Sequence, residues 1–236
     1  KTNNFELSAD YWTIDYKNRV EIEDAQALLN QDPNGSSITR TESGDLIGVT
    51  TQYFNEDRTN LKGLDLSATS IFNFKDLGEL SINLEATHLI EFLTPELQNQ
   101  SQGSSMINRV GKFNYDSPTH ALPRNRINLF VNWYVDGYEY VFNTRYVDSY
   151  KTLRSINSLA QSLGYENKID SFLVFDWCLK SETQGDKKVF GGVMEIGFCI
   201  INLTDEKPPR LYDAPDFSFD TRVHDPRGRI FQISFN

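Results

Sequence analysis

Long stretches of this sequence alternate between apolar and polar residues. In one run the alternate positions are mostly apolar: Leu64, Leu66, Ala68, Phe72 and Phe74. The positions between them are mostly polar: Asp65, Ser67, Thr69 and Asn73. A period of two residues is typical of a β-strand with one apolar and one polar face, and an α-helix cannot separate its faces with that period. The alternation therefore predicts an all-β protein.

The same pattern recurs in eight segments, which we interpret as eight strands. They cover residues 5–16, 61–74, 79–92, 124–135, 138–150, 168–181, 188–202 and 228–236. Short links occupy 75–78, 136–137 and 182–187, whereas long polar links occupy 17–60, 93–123, 151–167 and 203–227. Residues 23–29, inside the first long link, have the composition of a short helix. Short and long links thus alternate along the chain. This alternation of link lengths predicts tight turns at one end of the sheet and long loops at the other.

The dipeptide Asp136-Gly137 is the clearest local signal in the chain. It predicts a two-residue type I′ hairpin. Pairing across this turn sets Val131 opposite Phe142 and Asn128 opposite Arg145. The apolar sets of both strands then fall on one face, so the predicted register is self-consistent.

The apolar faces carry aromatic residues toward the strand ends. Trp133, Tyr138, Tyr140 and Trp177 all lie beside short links. Alternating segments of about ten residues, aromatic girdles and long loops on one side are signs of a transmembrane β-barrel. Because lipid offers backbone groups no hydrogen-bond partner, such strands must pair all round. A transmembrane antiparallel β-barrel is favoured over a soluble sandwich.

Composition narrows the function classes. The chain has 23 Lys and Arg against 33 Asp and Glu, a formal net charge of −10, whereas nucleic-acid binding without sequence preference needs a basic surface. The sequence contains no run of about 18 apolar residues, so it encodes no transmembrane helix. Cys178 and Cys199 are too few for a disulfide framework or a metal site. A turn centred near 184–186 would offset them by several residues, so we expect two free thiols on the polar face.

Four stretches resemble TonB-dependent outer-membrane receptors. NLKGLDL at 60–66 and GELSI at 78–82 resemble paired barrel strands of that family. INLTDEKPP at 201–209 resembles the passage from the penultimate strand into the last loop, and DPRGRIFQISF at 225–235 resembles the closing strand. The resemblance covers essentially the whole chain but only the last third or so of such a receptor.

The resemblance implies a fold, a location and partners. Residues 1–236 would be part of a single barrel domain, about eight C-terminal strands of a barrel of about 22 strands. The N-terminal plug domain, the motif that contacts TonB and a signal peptide are not expected within this chain. With a periplasmic C-terminus, strand parity puts every long loop outside the cell. The expected location is the outer membrane, and the expected partners are TonB, the plug domain, outer-membrane lipid and a small extracellular ligand, with no nucleic acid.

The function that the resemblance implies is energised uptake of a scarce nutrient: a ferric siderophore, cobalamin, haem or a glycan. Ligand binds the loops and the plug, and TonB then opens a path through the lumen. No bond is made or broken, so neither an enzyme activity nor a cofactor is expected. His88, His120 and His224 have no second ligand at metal-binding spacing, and no carboxylate pair has the neighbours that acid–base catalysis needs.

Three sets of residues are candidates for roles in this protein. The closing strand is expected to carry assembly information through Phe231, Ile233 and Phe235. Loop aromatics are candidate contacts to the extracellular ligand: Tyr115, Tyr165, Tyr212 and Phe217. Polar strand residues are expected to line the lumen or contact the plug: Asp65, Glu85, Asn128, Arg145 and Asp170.

Two alternatives stay open on the sequence. A complete eight-stranded membrane barrel would close with a side-chain-filled interior, but it would need its own signal peptide and is normally shorter than this chain. A soluble carbohydrate-binding β-sandwich would bury its apolar faces in a core and would dissolve without detergent.

Overall fold

The structure is a computed structural model that describes residues 4–95, 105–114, 120–152, 156–182, 195–211 and 218–235. Its elements follow the chain as β1 (Asn4–Ile22), α1 (Ala25–Gln31), β2 (Ile38–Arg40), β3 (Leu46–Val49), β4 (Tyr53–Phe74), β5 (Gly78–Pro95), β6 (Met106–Asn108), β7 (Lys112–Asn114), β8 (His120–Ala121), β9 (Asn125–Val135), β10 (Tyr138–Val147), β11 (Tyr150–Thr152), α2 (Ser158–Ser162), β12 (Lys168–Ile169), β13 (Phe172–Glu182), β14 (Glu195–Ile201) and β15 (Ile230–Phe235). Neither α1, with seven residues, nor α2, with five, is long enough to cross a membrane, and the described ranges hold no other helix.

One antiparallel sheet dominates the fold. Its strand order is β1-β4-β5-β9-β10-β13-β14-β15, with β6 added beside β5. The prediction of an all-β protein is confirmed, and each of the eight predicted segments contains one strand of this path. The sheet is not closed on itself, because β1 and β15 each pair along one edge only within the described ranges.

The β9–β10 hairpin has the predicted register. Val131 lies opposite Phe142, and Asn128 lies opposite Arg145. Asp136 and Gly137 have φ values of 51° and 80°. A type I′ turn requires positive φ at both of its central residues, and these two residues provide it.

β1 and β4 are longer than predicted and pair from Asn4↔Ile71 to Ile22↔Tyr53. The face of β1 that carries apolar residues changes along the strand. The face of Phe5, Leu7 and Tyr11 continues with Asp15 and Lys17, whereas Ile14 and Tyr16 lie on the opposite face. The outward face thus changes from apolar to charged just above Tyr11, as expected where a strand passes from lipid into water.

The height of the apolar part fits a bilayer. The apolar part of β4 runs from Leu64, opposite Tyr11, to Phe74 beside the short link. About 11 residues at about 3.3 Å each, tilted by about 40°, span roughly 28 Å. The apolar band of an outer-membrane barrel is about 25 Å tall.

The expectation of two free thiols is wrong. Cys178 lies directly opposite Cys199 on the neighbouring strand, with their Cα atoms 4.1 Å apart, and a disulfide joins them. β13 and β14 pair from Trp177↔Ile200 to Glu182↔Glu195, a register centred on residues 188–189. The sequence prediction centred this turn near 184–186, and that error moved the cysteines apart.

The predicted long links contain further structure. β2 and β3 form a two-stranded sheet after α1, and β12, β11, β7 and β8 form a separate four-stranded sheet. The segment predicted as one strand at 168–181 is therefore divided between β12 and β13. Asp170 lies between the two, is largely exposed and pairs with Lys168, so its assignment to a lumen-facing strand position is wrong.

The two faces of β10 generate the first prediction. Phe142 is 47% exposed on the apolar face, whereas the Asn143 amide donates to Asp176 on the polar face. A lysine at a midplane lipid-facing site costs about 2–4 kcal/mol. We expect Phe142→Lys in the full-length protein to reduce the folded yield in an outer-membrane assembly assay, and Asn143→Lys to reduce it much less. Equal folded yields would contradict the assignment of the two faces.

The disulfide generates the second prediction. A bridge across 21 residues stabilises a protein by about 3 kcal/mol in the chain-entropy model, and an oxidising compartment keeps such a bridge intact. After denaturation, reductant should add two more maleimide–polyethylene glycol adducts to the wild-type protein than to a Cys178→Ala/Cys199→Ala variant. If the wild type gains both adducts without reductant, the bridge is absent.

Candidate functional site

The long links at one end of the sheet fold together into a compact unit, which we call the loop cluster. It consists of the four-stranded sheet β12-β11-β7-β8 together with segments 209–211 and 218–224. Its core is apolar and buried: Phe113, Ala121, Tyr150, Ile169 and Leu211, with Val223 packed against it. The links after β5, β10 and β14 all contribute, so this end of the molecule has a hydrophobic core of its own.

A buried polar network ties the loop cluster together. Tyr150, Asp220 and His224 are 2%, 5% and 3% exposed. The Tyr150 hydroxyl lies 3.1 Å from His224 Nε2 and donates to Asp220 Oδ2 at 3.3 Å. The His224 ring packs edge-on against Phe172 with centroids 4.9 Å apart. This network connects β11 and the start of β13 to the last long link.

Burial controls the ionisation of this network. It lowers the pKa of His224 to about 4, and the positive charge of Arg126 acts in the same direction. Burial also raises the pKa of Asp220, against the hydrogen bonds that Asp220 accepts from the Arg222 N–H and the Tyr150 hydroxyl. His224 is therefore neutral at pH 7.

A cavity of about 240 Å³ lies between the loop cluster and the sheet. The sheet contributes Arg126, Asn128 and Arg145, and the loop side contributes Val223 and Asp225. Asn128 and Arg145 thus line this cavity, and their place at a barrel lumen or against a plug stays a prediction. Glu85 lines a neighbouring cavity that also includes Asn128 and Arg145, and Asp65 accepts a hydrogen bond from Thr87 on the adjacent strand at 2.7 Å.

Asp176 fixes the wall of the cavity. Its carboxylate pairs with Arg145 at 3.1 Å and accepts from Asn143 at 3.2 Å. It also accepts the backbone N–H of Asn202 at 2.9 Å, where β14 gives way to the last long link. One carboxylate therefore joins β10, β13 and the start of that link.

The candidate ligand contacts are only partly described. Tyr165 follows α2, is half-buried, and has the Arg210 guanidinium 5.7 Å from its ring centroid. Tyr115, Tyr212 and Phe217 lie outside the described residues. Contact between these four aromatics and a ligand stays a prediction.

The closing-strand residues share one exposed face of β15. Phe231, Ile233 and Phe235 are 63%, 63% and 69% exposed. They pair with apolar residues of β14: Ile200, Phe198 and Ile196. The assembly role of these residues also stays a prediction.

Sequence reasoning does not identify Arg126, Tyr150 or Asp220 as site residues, and it places His224 in the long polar link 203–227 without a role. Tyr150 was assigned to the end of a long strand, whereas β10 ends at Val147 and Tyr150 begins β11. Strands of two or three residues carry no readable periodicity. The nearest sequence signal is the run of Asp220, His224 and Asp225 in one link, which an exposed loop could equally contain.

Comparison with known proteins gives a consistent result. Residues 1–177 match a family model described as "TonB dependent receptor-like, beta-barrel". A search of curated proteins finds no match. Among solved structures, the chain resembles the outer membrane transporter YddB from Escherichia coli, with a TM-score of 0.53 and 15% identity, over 100% of this chain and 30% of that one. At this identity the likeness shows the fold alone, and the present chain spans less than a third of that transporter.

The buried His224 generates the third prediction. A pKa lowered from 6.5 to about 4 means that the folded loop cluster is most stable above pH 6.5 and loses stability as pH falls toward 4, by at most about 3 kcal/mol. Asp220 opposes part of this loss, because its raised pKa favours the folded state as pH falls. Hydrogen exchange of segment 218–224 in the full-length receptor, corrected for intrinsic rates, should accelerate between pH 7 and pH 4.5.

The matched control is His224→Gln, which retains a hydrogen-bonding side chain and does not titrate. Its exchange in segment 218–224 should depend much less on pH. An identical pH dependence in the wild type and the variant would assign the acid response to other groups.

Proposed function

Because the chain belongs to the TonB-dependent receptor-like β-barrel family, we propose that it forms part of the wall of an outer-membrane transporter that takes up a small extracellular ligand. The chain lies in the outer membrane, and its family is one of receptors rather than enzymes. The proposal depends above all on one observation: the outward face of β1 and β4 is apolar over a membrane-sized band and charged above it.

The exposed side chains support this proposal over a soluble sandwich. Phe5, Leu7 and Phe231 are 71%, 58% and 63% exposed on the principal sheet. A sandwich would cover such a face with a second sheet. Lipid can cover this apolar face without burying any polar group.

The open edges support a barrel larger than the part seen here. β1 and β15 each leave a row of backbone N–H and C=O groups without a strand partner in the described ranges. In lipid those groups must be paired, so further strands have to complete the barrel. We propose that residues 1–236 are about eight C-terminal strands of a single domain of about 22 strands.

The loop cluster and the cavity beneath it support a ligand-binding role at the outer mouth. The cluster is held by an apolar core and by the Tyr150–Asp220–His224 network. In the proposed mechanism the ligand contacts loop aromatics and a plug domain, and TonB then opens a path through the lumen. A ferric siderophore, cobalamin, haem or a glycan are the candidate cargoes.

Uptake tests the proposed function and forms the fourth prediction. Cells with the gene deleted, and deleted cells carrying the full-length gene, would be grown on each of the four cargo classes as the limiting source. We expect growth on at least one cargo to fail in the deletion strain, to return with the gene, and to fail again when TonB is depleted. Growth that is restored by the gene without TonB, or no growth difference on any cargo, would contradict the proposal.

A further inference from the structure

Two guanidinium groups with unused hydrogen-bond donors line the cavity between the sheet and the loop cluster. Arg126 forms no hydrogen bond or ion pair with any residue in the described ranges. Arg145 pairs with Asp176 through Nη2, but its Nε is buried and has no acceptor there. A buried donor without an acceptor is costly, so its presence beside a cavity points to a group that is bound in the cavity.

The neighbouring acids are already committed to other partners. Asp225 accepts hydrogen bonds from the backbone N–H, Nε and Nη2 of Arg227. The hydrogen bonds from the Arg227 side chain, and then the one from its backbone N–H, lower the pKa of Asp225 to about 2. Asp176 is occupied by Arg145, Asn143 and the Asn202 N–H. The two ion pairs are neutral as pairs. The charge of Arg126 also acts on Asp220, but that carboxyl accepts hydrogen bonds from Tyr150 and the Arg222 N–H, so Arg126 has no ion-pair or hydrogen-bond partner in the described ranges.

Arg126 is exposed, and its charge also acts on the buried residues of the loop cluster. After burial, it is the second cause that lowers the pKa of His224 at the base of the loop cluster. The chain as a whole carries a formal net charge of −10. An arginine without an ion-pair partner attracts an anion to the cavity that it lines.

We propose that this cavity binds an oxyanion, a carboxylate or phosphate group, between the guanidinium groups of Arg126 and Arg145, with Asn128 as an additional donor. The planar fork of a guanidinium matches the oxygen pair of a carboxylate or phosphate. The volume of about 240 Å³ holds several times the roughly 30 Å³ of one water molecule. The cavity therefore accommodates one small anionic group and not a whole large cargo.

The oxyanion has two sources, which share this chemistry. One source is a group on the transported ligand, and this source rests on the proposed function. The other is an Asp or Glu side chain of a plug domain in the same receptor. Both place an oxygen pair against Arg126. Arg126→Met removes the charge in either case. Arg222→Met is the matched control, because it removes an exposed arginine of the last long link that lies outside the cavity lining.

Tungstate, a heavy oxyanion, identifies the site directly. Crystals of the full-length receptor would be soaked in sodium tungstate and in sodium chloride of equal ionic strength, for the wild type and both variants. We expect either an anomalous peak within hydrogen-bond distance of Arg126 and Arg145, which shows a site for a free anion, or a carboxylate of the same receptor in that place. The peak should persist in Arg222→Met and be absent in Arg126→Met.

If no carboxylate of the receptor occupies the cavity, a titration with tungstate measures the affinity of the site. Tungstate binding by calorimetry should weaken about tenfold or more in Arg126→Met and by less than about twofold in Arg222→Met. A cavity that holds only water, or a neutral or cationic group, in both soaks would overturn the inference. This readout does not involve uptake, so anion binding without TonB-dependent growth would leave the inference standing and remove the proposed function.

Discussion

The need to pair every backbone N–H and C=O group in lipid is the constraint on which this structure depends. Hydrocarbon supplies no substitute partner, so strands that cross it must be hydrogen-bonded on both edges. The simplest chain that meets this need is a meander in which each strand pairs with its neighbours in sequence, and the order β1-β4-β5-β9-β10-β13-β14-β15 is of this kind. The short links at one end follow from it, because antiparallel neighbours need only tight turns.

The same strands meet a different solvent above the membrane, and their side chains change accordingly. On β1 the face that carries Phe5 and Leu7 in the apolar band carries Asp15 and Lys17 beyond Tyr11, and Asp15 pairs with Arg58 on β4 at 3.0 Å. The hydrogen-bonded ladder continues without a break across this change. Backbone pairing therefore sets the fold in both regions, whereas side-chain chemistry records where the lipid ends.

Much of the principal sheet was predictable from the sequence because its signals are local. Period two located all eight strands of the path, and Asp136-Gly137 set the β9–β10 register by itself. The Cys178–Cys199 bridge was missed because the polar stretch between β13 and β14 has no equally specific turn signal, so the register could not be counted. The loop cluster was missed because its parallel β7–β11 contact joins residues about 40 positions apart, and neither strand is long enough to show a period.

The base of the last long link shows how the membrane part positions the outer part. The disulfide holds β13 and β14 in register at Cys178 and Cys199, two positions from Asp176. Asp176 then holds the Asn202 N–H, and Asn202 in turn exchanges hydrogen bonds with Glu206 through both ends of its amide. Because the link leaves the sheet from a fixed point, the residues that follow it can return Asp220 and His224 to Tyr150. The location of the cavity is thus set by hydrogen bonds at the rim of the sheet. Its charge comes from Arg145, which is paired with Asp176, and from Arg126, which those bonds leave without a hydrogen-bond partner in the described ranges.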